Sequence, residues 1–108
     1  MEELIALGAT QFVVCGITGV LKKEFEEGSL LLPTAAVREE GVSYHYIEPS
    51  REIECSGNTI EKMETYLQAI NVSYRKVKTW TTDAFYRETQ DEVRLKIVEI
   101  CIDMCLNM

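Results

Sequence analysis

The residues best placed to do chemistry follow a short apolar run. Phe12-Val13-Val14-Cys15 leads straight into Gly16-Ile17-Thr18-Gly19. In open α/β sheets, ligands bind beyond the carboxyl ends of strands. Glycines there let backbone N–H groups approach an anion, and such nests bind phosphate. The same four residues also suit an ordinary tight turn. Other reactive groups are sparse. Ser43 has no base in a nucleophile's partnership, so a serine hydrolase is a poor fit. His45, the only histidine, suits a packed or hydrogen-bonded loop residue better than a general base. The cysteines Cys15, Cys55, Cys101 and Cys105 lack zinc-ligand spacing. Cys101 and Cys105 share one face of a helix, but two thiols without further ligands hold a metal poorly. No metal site is expected, and the thiols read as small buried apolar residues in a reducing cytoplasm.

These groups need a frame. Residues 2–7 have helical character and Gly8 can close them. Residues 11–15 have the composition of a buried strand. Residues 22–27 are charged and exposed, and Gly28 is a turn. Residues 29–37 form a second strand candidate, in which Pro33 implies an edge, a bulge or an interruption. Residues 42–47 alternate weakly and are expected to be extended. Residues 52–55 can pair briefly within a loop. Asn58 can cap a helix and Glu61 can close its capping box. Ile60, Met63, Leu67 and Ile70 form one apolar stripe, and Asn71 can end it. Residues 72–80 read as a strand. Thr81, Thr82 and Asp83 offer capping oxygens to a helix starting near Ala84 or later. Val93, Ile97, Ile100 and Met104 continue a helical stripe. Alternating helices and strands favour an α/β sheet with helices on its faces. The chain opens inside a helix and closes on an apolar tail, so it reads as incomplete at both ends.

Composition narrows the function. The 108 residues suit one domain. Eighteen acids against eleven bases give a net charge of −7. Nucleic-acid and anionic-membrane binders draw their affinity from clustered Lys and Arg, so neither class fits. Arg75, Lys76 and Lys78 suit the wet face of a strand. No apolar run approaches the ~20 residues needed to cross a bilayer. Glu2 and Glu3 stand where a signal peptide would carry basic residues.

Three blocks carry a resemblance. Gly28, the apolar strand after it and Thr34-Ala35-Ala36-Val37-Arg38-Glu39-Glu40-Gly41-Val42-Ser43-Tyr44-His45-Tyr46 are similar to the uridine and purine nucleoside phosphorylases. Thr79-Trp80-Thr81-Thr82-Asp83-Ala84-Phe85-Tyr86-Arg87-Glu88-Thr89 resembles the family's strand and turn before the base-binding helix. Residues 12–21 resemble its strand and loop at phosphate and ribose. The blocks stand in family order and cover the chain to about Lys96. The resemblance implies a three-layer phosphorylase-like fold, a mixed central sheet with flanking helices. It implies reversible phosphorolysis, in which nucleoside and phosphate give free base and pentose 1-phosphate. The partners would be nucleoside and phosphate, the assembly a homo-oligomer, and the cofactor none, with inorganic phosphate as co-substrate. Such catalysis is mostly positioning and electrostatics.

The carry-over is partial. Gly16, Thr18 and Gly19 match the phosphate and ribose loop. Ile17 and Val14 stand where many members have a phosphate-binding threonine and arginine. Phe85 matches the aromatic that packs on the base; a core aromatic under a helix start is the alternative. Thr89, Gln90 and Asp91 lie where uridine enzymes place a base-reading Gln and Arg, and do not match them, although Thr89 remains a base-site candidate. Asp83 suits a helix cap better than a general acid. Arg38 suits a loop or subunit contact better than phosphate. Members run to about twice this length and carry a ribose-gripping Glu-Met-Glu run where this chain has Cys105-Leu106-Asn107. Residues 1–108 therefore read as one partial domain with a divergent tail at 97–108. The expected function is nucleoside phosphorolysis, impaired in this chain alone. The rivals are a non-enzymatic remnant, a weak nucleoside-binding or oligomerising subunit, and a nucleosidase that uses water.

Overall fold

The computed structural model describes the backbone of residues 1–106 and the side chains of residues 1–98. The frame is an α/β unit with a mixed three-stranded sheet. β1 (Leu31–Glu39) lies at its centre, with β2 (Glu52–Glu54) antiparallel on one side and β3 (Arg75–Thr82) parallel on the other. A parallel pair needs a crossover, usually a helix, and α2 (Gly57–Ala69) supplies it. α1 (Glu2–Ala6) precedes the sheet and α3 (Gln90–Leu106) follows it.

β1 is apolar on both faces, as a central strand should be. Pro33 is accommodated by a bulge. The register steps from Pro33 opposite Val77 to Ala35 opposite Lys78, leaving Thr34 as the extra residue. Thr34 Oγ1 donates to the Val77 carbonyl at 3.3 Å, and the Thr34 carbonyl accepts from Cys55 N–H at 2.8 Å. β2 pairs only with residues 35–37, so the missing proline N–H interrupts no β1–β2 bond.

Two helices stop by the same device. After α1, Gly8 adopts φ 95°; its N–H bonds to the Ile5 carbonyl at 2.9 Å and Ala9 N–H to Leu4 at 3.0 Å. After α2, Asn71 adopts φ 56°, and the N–H groups of Asn71 and Val72 bond to Gln68 and Leu67, each at 3.0 Å. This is the Schellman pattern, satisfying carbonyls that a helix end leaves unpaired.

The core is small. Val37, Leu67 and Val77 are its buried apolar residues among those described. The chain exposes 9087 Å², whereas a compact monomer of this mass would expose ~6,000 Å². Along α2, Leu67 is buried, Ile60 and Met63 half-buried and Ile70 exposed. Along α3, Val93 and Ile97 are half-buried, while the side chains of Ile100 and Met104 lie outside the described residues.

Three local expectations fail. Residues 11–15 form no strand, and Val13 and Val14 are 76% and 77% exposed. A both-faces-apolar strand needs neighbours on both sides, and the sheet gives this one none. Val42–His45 is a 3-10 turn rather than extended, because Arg38 and Glu40 draw Ser43 back toward the strand end. α2 starts at Gly57 with Ser56 as N-cap and no side-chain cap, so the Asn58 box does not form. After β3 a 3-10 turn at Phe85–Arg87 intervenes, and α3 begins at Gln90, in keeping with a helix expected from Ala84 or later.

Candidate functional site

β3 is an outer strand, and its free side forms one wall of a cleft of about 460 Å³. Residues 77–82 line it along β3, together with residues 17–22, Phe25, Leu31, Phe85 and Glu88. The facing segment is tied down at its base. The Arg75 guanidinium lies 5.5 Å from the Phe25 ring centroid, a cation–π distance. Arg75 N–H also bonds to the Leu30 carbonyl at 3.0 Å.

The cleft is lined by Thr18 and Gly19 of the set that the resemblance assigned to phosphate and ribose and by Phe85 of the set assigned to the base, while Gly16 does not line it. Phe85 is 74% exposed on its 3-10 turn, so it is not a core aromatic. Gly16 and Gly19 have no heavy atom within 4 Å of an added Cβ, so the loop is open. Neither takes positive φ; among the described residues that conformation occurs at Gly8, Gly28 and Asn71. The alternating backbone of a phosphate nest is therefore not formed here. Thr18 Oγ1 donates to the Gly19 carbonyl at 3.2 Å, and the Ile17 side chain projects fully into solvent.

Charge in the cleft is unevenly committed. Lys22 lies 3.9 Å from Glu24, and Lys78 lies 2.5 Å from Glu52. The Glu88 carboxylate has no ion pair or hydrogen bond to a described side chain. Among the described residues no three His, Cys, Asp or Glu side chains converge as metal ligands.

The remaining candidates serve the frame. Thr89 does not line the cleft. Its Oγ1 accepts from Glu92 N–H at 3.4 Å, which makes it the N-cap of α3. The Thr89-x-x-Glu92 spacing of a capping box was the sequence signal for that role. Asp83 caps no helix: its Oδ2 accepts from Gly41 N–H at 3.1 Å, tying the end of β3 to the turn after β1. Arg38 is buried at 4% exposure. It donates to Ser43 Oγ at 2.9 Å, the Glu48 carbonyl at 2.9 Å and Ser50 Oγ at 2.8 Å, and stacks on Tyr44 at 4.1 Å. Its donors are spent inside the loop. Hydrogen bonds from Ser43 hold the Glu40 carboxyl below the usual carboxylate range. His45 ends the 3-10 turn and is exposed.

Sequence reasoning missed one cluster beside the cleft. Trp80 Nε1 donates to Glu39 Oε2 at 2.8 Å, and the buried Lys96 ammonium pairs with Glu39 Oε1. That ammonium also lies 5.8 Å from the Trp80 ring centroid. Burial opposes ionisation of Glu39, but the bonds from Lys96 and Trp80 outweigh it and lower its pKa. The cluster fastens α3 to the ends of β1 and β3. Its sequence trace is a lysine three residues after Val93 and beside Ile97, on the helix face that packs inward.

The family model described as the phosphorylase superfamily matches residues 1–108. The chain belongs to the phosphorylase superfamily. It is 36% identical over 90 residues to a uridine phosphorylase of Thermococcus kodakarensis, covering 80% of this chain and 31% of that enzyme. It is 40% identical over 47 residues to a uridine phosphorylase of Haemophilus influenzae, covering 44% of this chain and 19% of that enzyme. It is 39% identical over 46 residues to a guanosine phosphorylase of Halorubrum lacusprofundi, covering 43% and 19% respectively. No solved structure gives a significant match. The matched stretches span at most about a third of these superfamily relatives, which are more than twice this chain's length.

Proposed function

We propose that this chain carries the nucleoside-binding wall of a phosphorylase superfamily site and that its chemistry is pentosyl transfer from a nucleoside to phosphate. One observation supports this reading above all. A single cleft joins the Thr18-Gly19 loop to the exposed ring of Phe85. A nucleoside laid along it would stack its base on Phe85 and set its sugar against residues 17–19. Inorganic phosphate would enter as co-substrate from the loop side. The reaction calls for no metal or cofactor, because charge on the departing base and the cation-like sugar is met by placed dipoles.

The chain alone should bind better than it turns over. Val14 and Ile17 offer phosphate no side-chain donor, and the glycines of the loop do not form a nest. Asn107, at the family's ribose-carboxylate position, lies outside the described residues. Loss of one preorganised contact costs ~3 kcal/mol of barrier, about a hundredfold or more in rate. The exposed apolar run at Val13, Val14 and Ile17 supports self-association into a homo-oligomer. Cys15 and Cys55 are free thiols but exposed rather than buried as expected; free thiols suit a reducing cytoplasm.

The test couples base release to phosphate. The chain should bind uridine or a purine nucleoside, release base at or near background, and lose about tenfold or more in affinity on Phe85→Ala, since base stacking contributes ~1–3 kcal/mol. Equal affinity of the variant by calorimetry would move the base elsewhere. Release of several bases per second with phosphate would refute the impairment. Release independent of phosphate would establish a nucleosidase.

A further inference from the structure

We infer that Glu39 is an acid-operated latch: protonating its carboxylate releases α3 from the ends of β1 and β3 while the sheet stays folded.

α3 is held in an inverted way. Among the described side chains of the helix the buried one is Lys96, while Val93 and Ile97 are half-buried and Leu95 and Val98 exposed. The helix packs chiefly on β3, so its apolar seat is narrow. Charge does the rest. The Lys96 ammonium pairs with Glu39 Oε1, and Trp80 Nε1 donates to Glu39 Oε2 at 2.8 Å. One carboxylate at the end of β1 thus accepts from β3 through one oxygen and from α3 through the other.

That arrangement needs the ionised form. An ammonium and an indole N–H donate and cannot accept, whereas a protonated carboxyl gives up an acceptor to become a donor. Protonation therefore takes an acceptor from a cluster whose other members only donate. It also removes the negative charge that offsets burial of the Lys96 ammonium. The surrounding charges leave Glu39 in this role. Arg51, just ahead of β2, adds attraction to the carboxylate. Arg38 and Glu40, its neighbours along the chain, are engaged with residues 43–50. On α3, Asp91, Glu92 and Arg94 are exposed. Burial opposes ionisation of Glu39, and the bonds from Lys96 and Trp80 outweigh it, so its pKa lies below the ordinary 4.5. The latch is closed above that ordinary value and opens as pH falls through the lower, docked one.

Backbone amide exchange of the whole 108-residue chain tests this, read by NMR as protection factors between pH 6 and pH 3.5. In the parent, protection of residues 93–97 should fall about tenfold or more, the effect of one lost charged hydrogen bond. Residues 35–38 and 77–81 should hold within about twofold, as a separate cooperative unit does. Glu39→Gln should show the low α3 value at every pH. Lys96→Met keeps an apolar stem and removes the charge, so α3 protection should no longer depend on pH. Loss of protection in α3 and the sheet together would mean global acid unfolding and overturn the latch. Parent α3 amides that are unprotected throughout, or equally protected at both ends of the range, would overturn it too. So would a Lys96→Met chain that keeps the acid step. Should circular dichroism show Glu39→Gln unfolded, the parent and Lys96→Met still decide.

Discussion

Residues 41–50 and residues 11–28 are the long connections beside β1, one leaving its end and one approaching its start, and they are built in opposite ways. The first winds around a buried guanidinium. Arg38 bonds to two serine hydroxyls and a loop carbonyl, Tyr44 stacks on it, and Glu40 anchors Ser43. The second is richer in apolar side chains yet holds almost none of them inside. Val13, Val14 and Ile17 face solvent; Thr18 bonds to Gly19 and Lys22 pairs with Glu24 within the segment, and Arg75 against the Phe25 ring ties it to β3. Polar anchoring within ten residues can be completed locally. A buried strand is completed only by other strands, so the more hydrophobic segment is the less folded one here.

Breaking the ordered connection should have the largest effect. Arg38→Ala leaves Ser43, Ser50 and the Glu48 carbonyl without their donor in a half-buried setting. Bonds to a charged group contribute ~1.5–3 kcal/mol each, so the loss should reach ~3 kcal/mol or more, seen as a lower denaturant midpoint. Arg38→Lys should recover little, because an ammonium cannot reproduce the guanidinium fork. A midpoint within ~0.5 kcal/mol of the parent would show that the loop does not depend on Arg38.

A smaller loss should come from Glu39, where β1 hands over to that loop. Its folded pKa lies below the ordinary 4.5. A carboxylate depressed on folding adds stability that is complete above the unfolded pKa and is lost as pH falls through the folded one. The parent should therefore lose stability on acidification below about pH 4.5, and Glu39→Gln should blunt that step. At neutral pH the variant should cost on the order of 2 kcal/mol, less than a fully buried pair, because the Glu39 side chain is 35% exposed. Thermal melts from pH 3 to 7 decide it, and an unchanged acid slope in the variant would exclude Glu39 as its source.

The smallest effect on stability should come from the open connection. Val13→Ser with Val14→Ser should alter unfolding free energy by no more than about 0.5 kcal/mol, as exposed positions do. The same pair should reduce self-association in sedimentation. A parent that is a sharp monomer at high concentration would mean the exposed run is only solvated surface.

Legibility in the sequence follows the same division. The strands at β1 and β3, the α2 stripe, the bulge at Pro33 and the stop at Asn71 each depend on residues close in sequence. So does the bond of Thr89 to Glu92, whose spacing was visible although its role was assigned to the base. The turn at 42–45 was hidden because Arg38, not local alternation, decides it. The Glu39–Lys96 pair joins residues 57 apart in the chain, a distance at which periodicity carries no partner. The exposure of residues 11–15 was hidden because composition reports what a segment prefers to bury, not whether neighbours exist. At the cleft, Phe85 and the Thr18-Gly19 loop were each singled out in the sequence; that they line one cavity was not visible there, and neither was the presence of Glu88 in its lining.

Trp80 is the chain's only tryptophan, and it stands where β1, β3, α3 and the cleft meet. Its emission and its single indole N–H resonance therefore come from one known address. Acid titration of Glu39 changes the acceptor on that N–H, entry of an aromatic base changes its optical surroundings, and departure of α3 removes the ammonium beside its ring. The three events would act on different atoms of one chromophore, so Trp80 offers an unlabelled probe that separates protonation and undocking from the proposed ligation.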